Sequence, residues 1–359
     1  MFAGCLAVKA MSQQMVLIGG MAVGGGSPVS IQSMTNTDTR DIEATVAQIN
    51  ALQQAGCEIV RISVYDELCA KALKLIKNRT KIPVVADIHF DFRLAIMAAE
   101  NGADKLRINP GNIGNAANVK KLADAAKSAR IPIRVGANSG SLPSDLLQKH
   151  NGPTAEALLE SALRHAALLE QNGFADIVLS LKSADVSTNV AAYRLAAKSA
   201  GYPLHIGVTE AGCGDDALVK SSIGIGALLL DGIGDTIRVS ITGDPICEIV
   251  AAKRILNCSG IRRNGIEIIA CPTCGRCGVD LLSIVRRIEK KIPVIDRHIR
   301  LAIMGCAVNG PGEAKESDLG IAFGDGRCVL FRHGEIIRTF DADEAECVIL
   351  DELNALIRE

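Results

Sequence analysis

The chain has no tryptophan, and aromatic residues make up only 3% of its 359 positions. Its core must therefore be filled by Ala, Val, Ile and Leu, as in α/β proteins whose parallel strands are buried on both faces. No run of about 18 apolar residues is present to span a membrane. The mildly apolar start, Met1 to Met21, is broken by Lys9, by Ser12-Gln13-Gln14 and by a glycine pair, and does not read as a secretory signal. Net charge is −1, so no global basic field argues for nucleic acid. No P-loop or G-x-G-x-x-G fingerprint follows a strand, which argues against a nucleotide, and no C-x3-C-x2-C run marks a radical barrel enzyme. Twelve cysteines over this length do not make a secreted disulfide scaffold, and the expected setting is reducing and cytoplasmic.

What the chain does have is concentrated late. Cys271-Pro-Thr-Cys274-Gly-Arg-Cys277 puts three thiols within seven residues. Gly305-Cys306-Ala-Val-Asn-Gly-Pro-Gly-Glu313 adds one more thiol, a glycine-rich loop and a carboxylate. A structural zinc ion usually takes two Cys pairs, or a Cys pair and a His pair. Iron–sulfur clusters are held mainly by thiolates at spacings such as C-x2-C-x2-C, and suit this set better. A zinc or redox element, a disulfide, or inert buried thiols remain open readings of these residues.

Ahead of the thiols one unit repeats: an apolar strand, a polar loop, an amphipathic helix, then Gly or Pro. The strands read as Val29–Met34, Glu58–Val64, Pro83–Ile88, Lys105–Asn109, Pro132–Gly136, Asp176–Leu181, Leu204–Val208 and Thr236–Ile241. Helical spacing, as at Val46, Ile49 and Leu52 before Gly56, fills the intervals. Eight such units predict a (β/α)8 TIM barrel, with a doubly wound open sheet as the competing α/β architecture. The expected domains are a substrate-binding barrel over 1–258, with 1–28 as a possible N-terminal plug, and a smaller α+β iron–sulfur domain over 259–359. In the second domain both thiol motifs follow strands, and His333-Gly334 turns a hairpin.

Active sites of such barrels lie at the C-terminal ends of the strands. Those ends carry Arg61, Asp87 with His89, Arg107 with Asn109, Arg134 with Asn138, Lys182, Thr209 with Glu210, and Arg238 with Ser240. Any one of these cations could be an ion-pair partner, and His89 could be an ordinary loop histidine. Five cations on one rim, with few acids beside them, repel unless an anion sits among them. Arg forks and a Lys point charge suit phosphate oxygens, so the expected ligand is compact and highly charged, a diphosphate by preference. Glu210 is the acid at the rim suited to donate a proton. A phosphometabolite-binding barrel with a structural zinc module is the alternative.

Several of these segments resemble a known family. Pro28-Val-Ser-Ile-Gln-Ser-Met-Thr-Asn-Thr37, Leu106-Arg-Ile-Asn-Pro-Gly-Asn112, Val208-Thr-Glu-Ala-Gly212 and the two thiol motifs are similar to those of the 4-hydroxy-3-methylbut-2-enyl diphosphate synthases, iron–sulfur enzymes of the non-mevalonate isoprenoid pathway. The resemblance runs from about Val29 to about Asp325. It implies a 4Fe-4S cluster held by Cys271, Cys274, Cys306 and Glu313, with Glu313 as the exchangeable ligand. It implies reductive opening of 2-C-methyl-D-erythritol 2,4-cyclodiphosphate and a head-to-tail homodimer; with no NAD fingerprint in the chain, reduced flavodoxin or ferredoxin is the expected electron donor. Substrate contacts carry over onto Arg61, Arg107, Arg134, Asn138, Lys182, Arg238 and Ser240, beside Asp87 and His89 from the rim. Two departures stand out: Cys277, a third thiol the family motif usually lacks, and the first 20 residues, which differ from the family's usual basic start.

Overall fold

A computed structural model describes residues 12–109, 116–306 and 315–359. The chain divides into two compact units between Arg262 and Arg263. That division falls just past the Ser259-Gly260 of the sequence reading. Arg262 is tied back to the first unit, donating to the Val29 carbonyl at 3.0 Å and to Glu58 Oε2 at 2.7 Å.

The first unit opens with an antiparallel hairpin, β1 (Met15–Ile18) and β2 (Met21–Gly24). Eight parallel strands follow: β3 (Ser30–Met34), β4 (Ile59–Ser63), β5 (Val84–Asp87), β6 (Lys105–Ile108), β7 (Ile133–Asn138), β8 (Ile177–Lys182), β9 (His205–Ile206) and β10 (Thr236–Ile237). Their order in the sheet is β8-β7-β6-β5-β4-β3-β10-β9, and a parallel bridge between Leu179 and Leu204 joins the two ends. The sheet is a barrel, and the open-sheet alternative is excluded. Between the strands run α1 (Ile42–Ala55), α2 (Glu67–Asn78), α3 (Phe92–Glu100), α4 (Ala116–Ala129), α5 (Ser144–Lys149), α6 (Ala155–Glu170), α7 (Val186–Ser199) and α8 (Gly214–Leu230), with α9 (Pro245–Cys258) last. Short polar caps set their starts. Asp41, Asp66, Thr154 and Asp185 each accept from a backbone N–H three residues on, satisfying a donor the helix cannot. The final turn of α1 closes on Gly56 at φ 103°, a left-handed conformation that glycine adopts without strain.

The last two strands pair over two residues each, where the apolar pattern predicts Leu204–Val208 and Thr236–Ile241. At Gly207 a Cβ would stand 2.4 Å from the Arg238 carbonyl oxygen, so the backbones close in there and regular pairing ends. Side chains alternate along every strand. The outward set builds the apolar layer under the helices. At the N-terminal ends of the strands the inward residues Ile59, Val85 and Val178 pack against Val16, Ile18 and Val23 of the hairpin. Further along, the inward positions change to charged and polar types, which is where the site begins.

The second unit is a five-stranded sheet in sequence order: β11 (Gly265–Ala270), β12 (His298–Met304), β13 (Leu319–Phe323), β14 (Arg327–Arg332) and β15 (Glu335–Asp341). The first three strands are parallel and the last two antiparallel to their neighbours. His333 and Gly334, at φ 49° and 81°, make the tight turn between β14 and β15. Helix α10 (Leu281–Lys291) and the C-terminal helix Ala345–Arg358 bury Leu281, Ile288, Ile349 and Leu353 against Leu301, Ile303 and Ile321 of the sheet.

Candidate active site

Inward-facing residues of the barrel strands bring eleven side chains to one cavity of about 210 Å³: Arg61, Asp87, His89, Arg107, Arg134, Asn138, Ser180, Lys182, Thr209, Arg238 and Ser240. That is smaller than the roughly 300–1,000 Å³ clefts that take drug-sized ligands. The strand register explains the assembly. Arg61 pairs with Val85, Asp87 with Arg107, Arg107 with Arg134, and Asn138 with Lys182, so neighbouring strands deliver these residues to the same end.

The cations differ in how they are matched. Asp87, 4% exposed, faces Arg107 Nη1 at 3.1 Å and Arg61 Nε at 3.7 Å, with His89 Nε2 at 3.5 Å. Burial alone would push its carboxyl up. Arg61, His89 and Arg107 overcome that and hold it well below the usual carboxylate range. Arg238 donates to Glu248 Oε1 at 3.2 Å, and the other oxygen of Glu248 accepts from Ser33 Oγ at 2.8 Å. Arg134, 1% exposed, meets no carboxylate among the described residues; its contact is with Ser180 Oγ at 3.4 Å. Burial, then Arg61 and Arg107, push its guanidinium down. Lys182 is pushed down by burial, then by Arg134, Arg238, Arg61 and Arg107. Four guanidinium nitrogens of this cavity, Arg107 Nε, Arg134 Nε and Nη2, and Arg238 Nε, are buried without a hydrogen-bond partner among the described residues. A buried donor left unpaired costs about 1–3 kcal/mol, so such groups call for an acceptor.

Glu210 follows Thr209 but does not line this cavity; it is exposed, with φ at 52°. The sequence reading passed over Ser180 and Glu248. Ser180 precedes Lys182 by two, the spacing that keeps both on one face of β8. Glu248 sits in the first turn of α9 among Ile246, Ile249 and Val250, on a helix and not at a strand end, and an acid inside an apolar helical stretch was its only signal. Acids thus accompany the rim more closely than its sequence suggested: Asp87 and Glu248 orient three of the five arginines and lysines, and among the described residues leave Arg134 and Lys182 uncompensated.

A second cavity lies in the second unit, lined by Cys271, Pro272, Thr273, Cys274, Arg276, Met304, Gly305 and Cys306. Strands β11 and β12 are parallel, with Ala270 opposite Ile303, so both thiol motifs leave the sheet side by side. The Gly305 N–H donates to Cys271 Sγ at 3.2 Å. Cys277 N–H donates to the Cys274 carbonyl at 2.9 Å, closing the turn. Cys277 is not in the lining; its thiol donates to the Val279 carbonyl at 3.3 Å and packs with the apolar cluster of the unit. A Cβ on Gly305 would stand 2.5 Å from Cys277 Sγ and 3.3 Å from Cys271 Sγ, so only glycine fits there. Thr273, β-branched and at φ 64°, holds a strained backbone beside the thiols.

Among the described residues, no three His, Cys, Asp or Glu side chains converge on a single metal-ion point. A cluster carries its ligands on outlying irons, and three soft thiols around one cavity, one receiving an N–H bond, fit it. Glu313 lies outside the described residues.

Both units match family models. The one described as GcpE TIM-barrel domain covers residues 13–253, and the one described as GcpE protein C-terminal domain covers 267–358. The chain is similar to proteins named 4-hydroxy-3-methylbut-2-en-1-yl diphosphate synthase (flavodoxin). That of Geobacter sulfurreducens is 52% identical over 345 residues, 96% of this chain and 98% of its own. That of Caldicellulosiruptor saccharolyticus is 53% identical, over 96% and 99%. That of Caldanaerobacter subterraneus is 50% identical, over 96% and 97%. A polar-lined barrel and a thiol-bearing sheet, each matched along nearly its whole length, place this chain in the GcpE family.

Proposed function

We propose that this chain is an iron–sulfur oxidoreductase of the non-mevalonate isoprenoid pathway. Its reaction opens 2-C-methyl-D-erythritol 2,4-cyclodiphosphate to 4-hydroxy-3-methylbut-2-enyl diphosphate. Two electrons and two protons enter and one water leaves. The observation that carries the substrate class is the set of unpartnered guanidinium nitrogens in the barrel cavity.

The roles follow from the contacts. Arg107, Arg134 and Arg238 offer buried N–H groups to diphosphate oxygens, and Lys182 adds a point charge. Asp87 and Glu248 fix the guanidinium planes in advance, so the charge that develops as the ring opens meets donors already in position. Asn138, Ser180, Thr209 and Ser240 supply neutral hydrogen bonds to the rest of the molecule. Glu210, exposed beside Thr209, carries protons between solvent and substrate. Cys271, Cys274 and Cys306, with Glu313, would hold a 4Fe-4S cluster, which when bound supplies the electrons singly. The donor is a reduced flavodoxin or ferredoxin, and the setting is the cytoplasm. Among the described residues no helix is long and apolar enough to cross a membrane.

The working unit is a head-to-tail homodimer. Helix α9 leads away from the strand ends that carry the cations, and Arg262 is anchored to Val29 and Glu58 at the opposite ends of β3 and β4. Closed two-fold symmetry is the assembly that the family resemblance implies. Light scattering that finds only monomer in the active enzyme sinks the dimer.

Anaerobic reconstitution followed by iron and sulfide analysis, and turnover of the cyclodiphosphate with reduced flavodoxin, tests the whole reading. A brown protein that yields the open diphosphate is expected. A colourless protein that holds zinc and leaves the cyclodiphosphate intact overturns it.

A further inference from the structure

Beneath the rim the barrel holds a second tier of polar side chains that diphosphate binding does not use. Gln32, Lys105 and His205 are 1% exposed or less. Lys105 donates to Gln32 Oε1 at 3.2 Å. His205 Nε2 lies 3.4 Å from Lys182 Nζ, and its Nδ1 has no partner among the described residues. The His205 carbonyl accepts from Tyr193 Oη at 2.7 Å, which anchors the backbone that carries the ring. A Cβ on Gly207 would stand 3.1 Å from Lys182 Nζ, so glycine keeps room for the amine.

The Lys182–His205 contact has two protonation arrangements. A charged amine donates to Nε2 and leaves a buried, unpaired Nδ1–H. A neutral amine accepts from Nε2–H and leaves only a lone pair unpaired, the less costly orphan. The surroundings favour the second arrangement. Lys182 is faced by Arg61 on β4, Arg107 on β6, Arg134 on β7 and Arg238 after β10, with Lys105 below and His89 at the opening. The two carboxylates are already engaged, Asp87 by Arg61 and Arg107, and Glu248 by Arg238. Burial, then Arg134, with Lys105 and Arg61, push His205 far down as well even with Lys182 neutral, so the imidazole stays neutral.

We propose that in the unliganded barrel Lys182 is a neutral amine held by His205, and that it takes up one proton from solvent when a polyanion enters, so that anion binding is coupled to protonation. His205 is then a positioning residue for Lys182. This rests on the reading of the cavity as a diphosphate site. The proton that arrives makes the ammonium, whose N–H groups turn to the anion, and the imidazole remains neutral throughout.

Sulfate, whose charge does not change across the range, is the probe, with its affinity measured by calorimetry from about pH 7.5 to 9. Wild-type affinity is expected to fall with rising pH by up to about 10-fold per unit. Lys182→Arg, permanently charged, is expected to bind with a flat profile. His205→Leu removes the donor to the neutral amine and moves the bend of the profile to higher pH; His205→Gln, which both donates and accepts, restores it. A His89→Asn background removes the exposed histidine of the cavity from the titration, and thermal unfolding checks each variant for folding. A flat wild-type profile, or a Lys182→Arg profile as steep as wild type, overturns the inference. Absence of sulfate binding at every pH overturns instead the diphosphate reading on which it rests.

Discussion

The barrel cavity and the thiol cavity solve opposite problems. In the barrel the functional groups are hard cations, nearly all buried and carried on rigid strands, three of them locked by Asp87 and Glu248 before any ligand arrives. In the second unit they are soft thiols on segments just beyond the strands, with Cys274 exposed and Cys271 and Cys306 partly so. The barrel stores unsatisfied electrostatics, which a charged substrate relieves. The thiol cavity stores little of that kind; its specificity lies in donor softness and in the close approach that Gly305 permits. Substrate binding and electron supply should therefore be separable by mutation.

The largest expected effect is at the thiols. Cys271→Ser should abolish visible absorbance, bound iron and turnover together, while pyrophosphate binding to the barrel stays within about 3-fold of wild type, one ordinary hydrogen bond being worth about 1 kcal/mol. If pyrophosphate affinity collapses as well, the two regions are not independent and the contrast fails.

Arg134→Met is the converse test. Losing one charge-assisted donor set should weaken pyrophosphate binding by about 10- to 150-fold, from roughly 1.5–3 kcal/mol, and leave iron content unchanged. The same change removes a buried, uncompensated cation, so the unliganded protein should melt no lower than wild type and up to a few degrees higher. A marked fall in the melting temperature would show that Arg134 is a structural element and not a substrate contact.

A smaller effect concerns pH. Burial, and in each case nearby positive charge, depress both His165 and His205 in the fold. The unfolded chain therefore binds their protons first. Stability present above the unfolded value of about 6.5 should be lost as pH falls through it toward the depressed folded values, by at most about 1.4 kcal/mol per pH unit per histidine. Asp87, held low in the fold, adds no loss until far more acid conditions. Urea unfolding between about pH 7 and 5 measures the slope, and the double variant His165→Gln/His205→Gln should flatten it. An unchanged slope in that variant would place the titration elsewhere.

The smallest expected effect is at Cys277. Its thiol points to the Val279 carbonyl and not into the cavity, so Cys277→Ser should keep iron content and turnover near wild type. Loss of the cluster there, with Cys306→Ser tolerated, would exchange the two thiols in the assignment.

Much of this was legible from local pattern. Strand–helix alternation, the rarity of aromatics and Gly or Pro between elements point to a barrel because each is a short-range consequence of backbone geometry. Cations at strand ends could be read as one rim, since a closed parallel barrel brings all its C-terminal ends together. Only the tertiary structure decided which of those cations are already matched, because a partner such as Glu248 comes from a helix and carries no strand-end signature. It alone revealed the tier of Gln32, Lys105 and His205, whose importance depends on a burial that composition does not report. Likewise the spacing of Cys271, Cys274 and Cys277 offers three equivalent thiols. Which of them line a cavity was decided by the turn at Gly275-Arg276 and the register of β11 against β12, because side-chain direction is a property of the folded backbone and not of residue order.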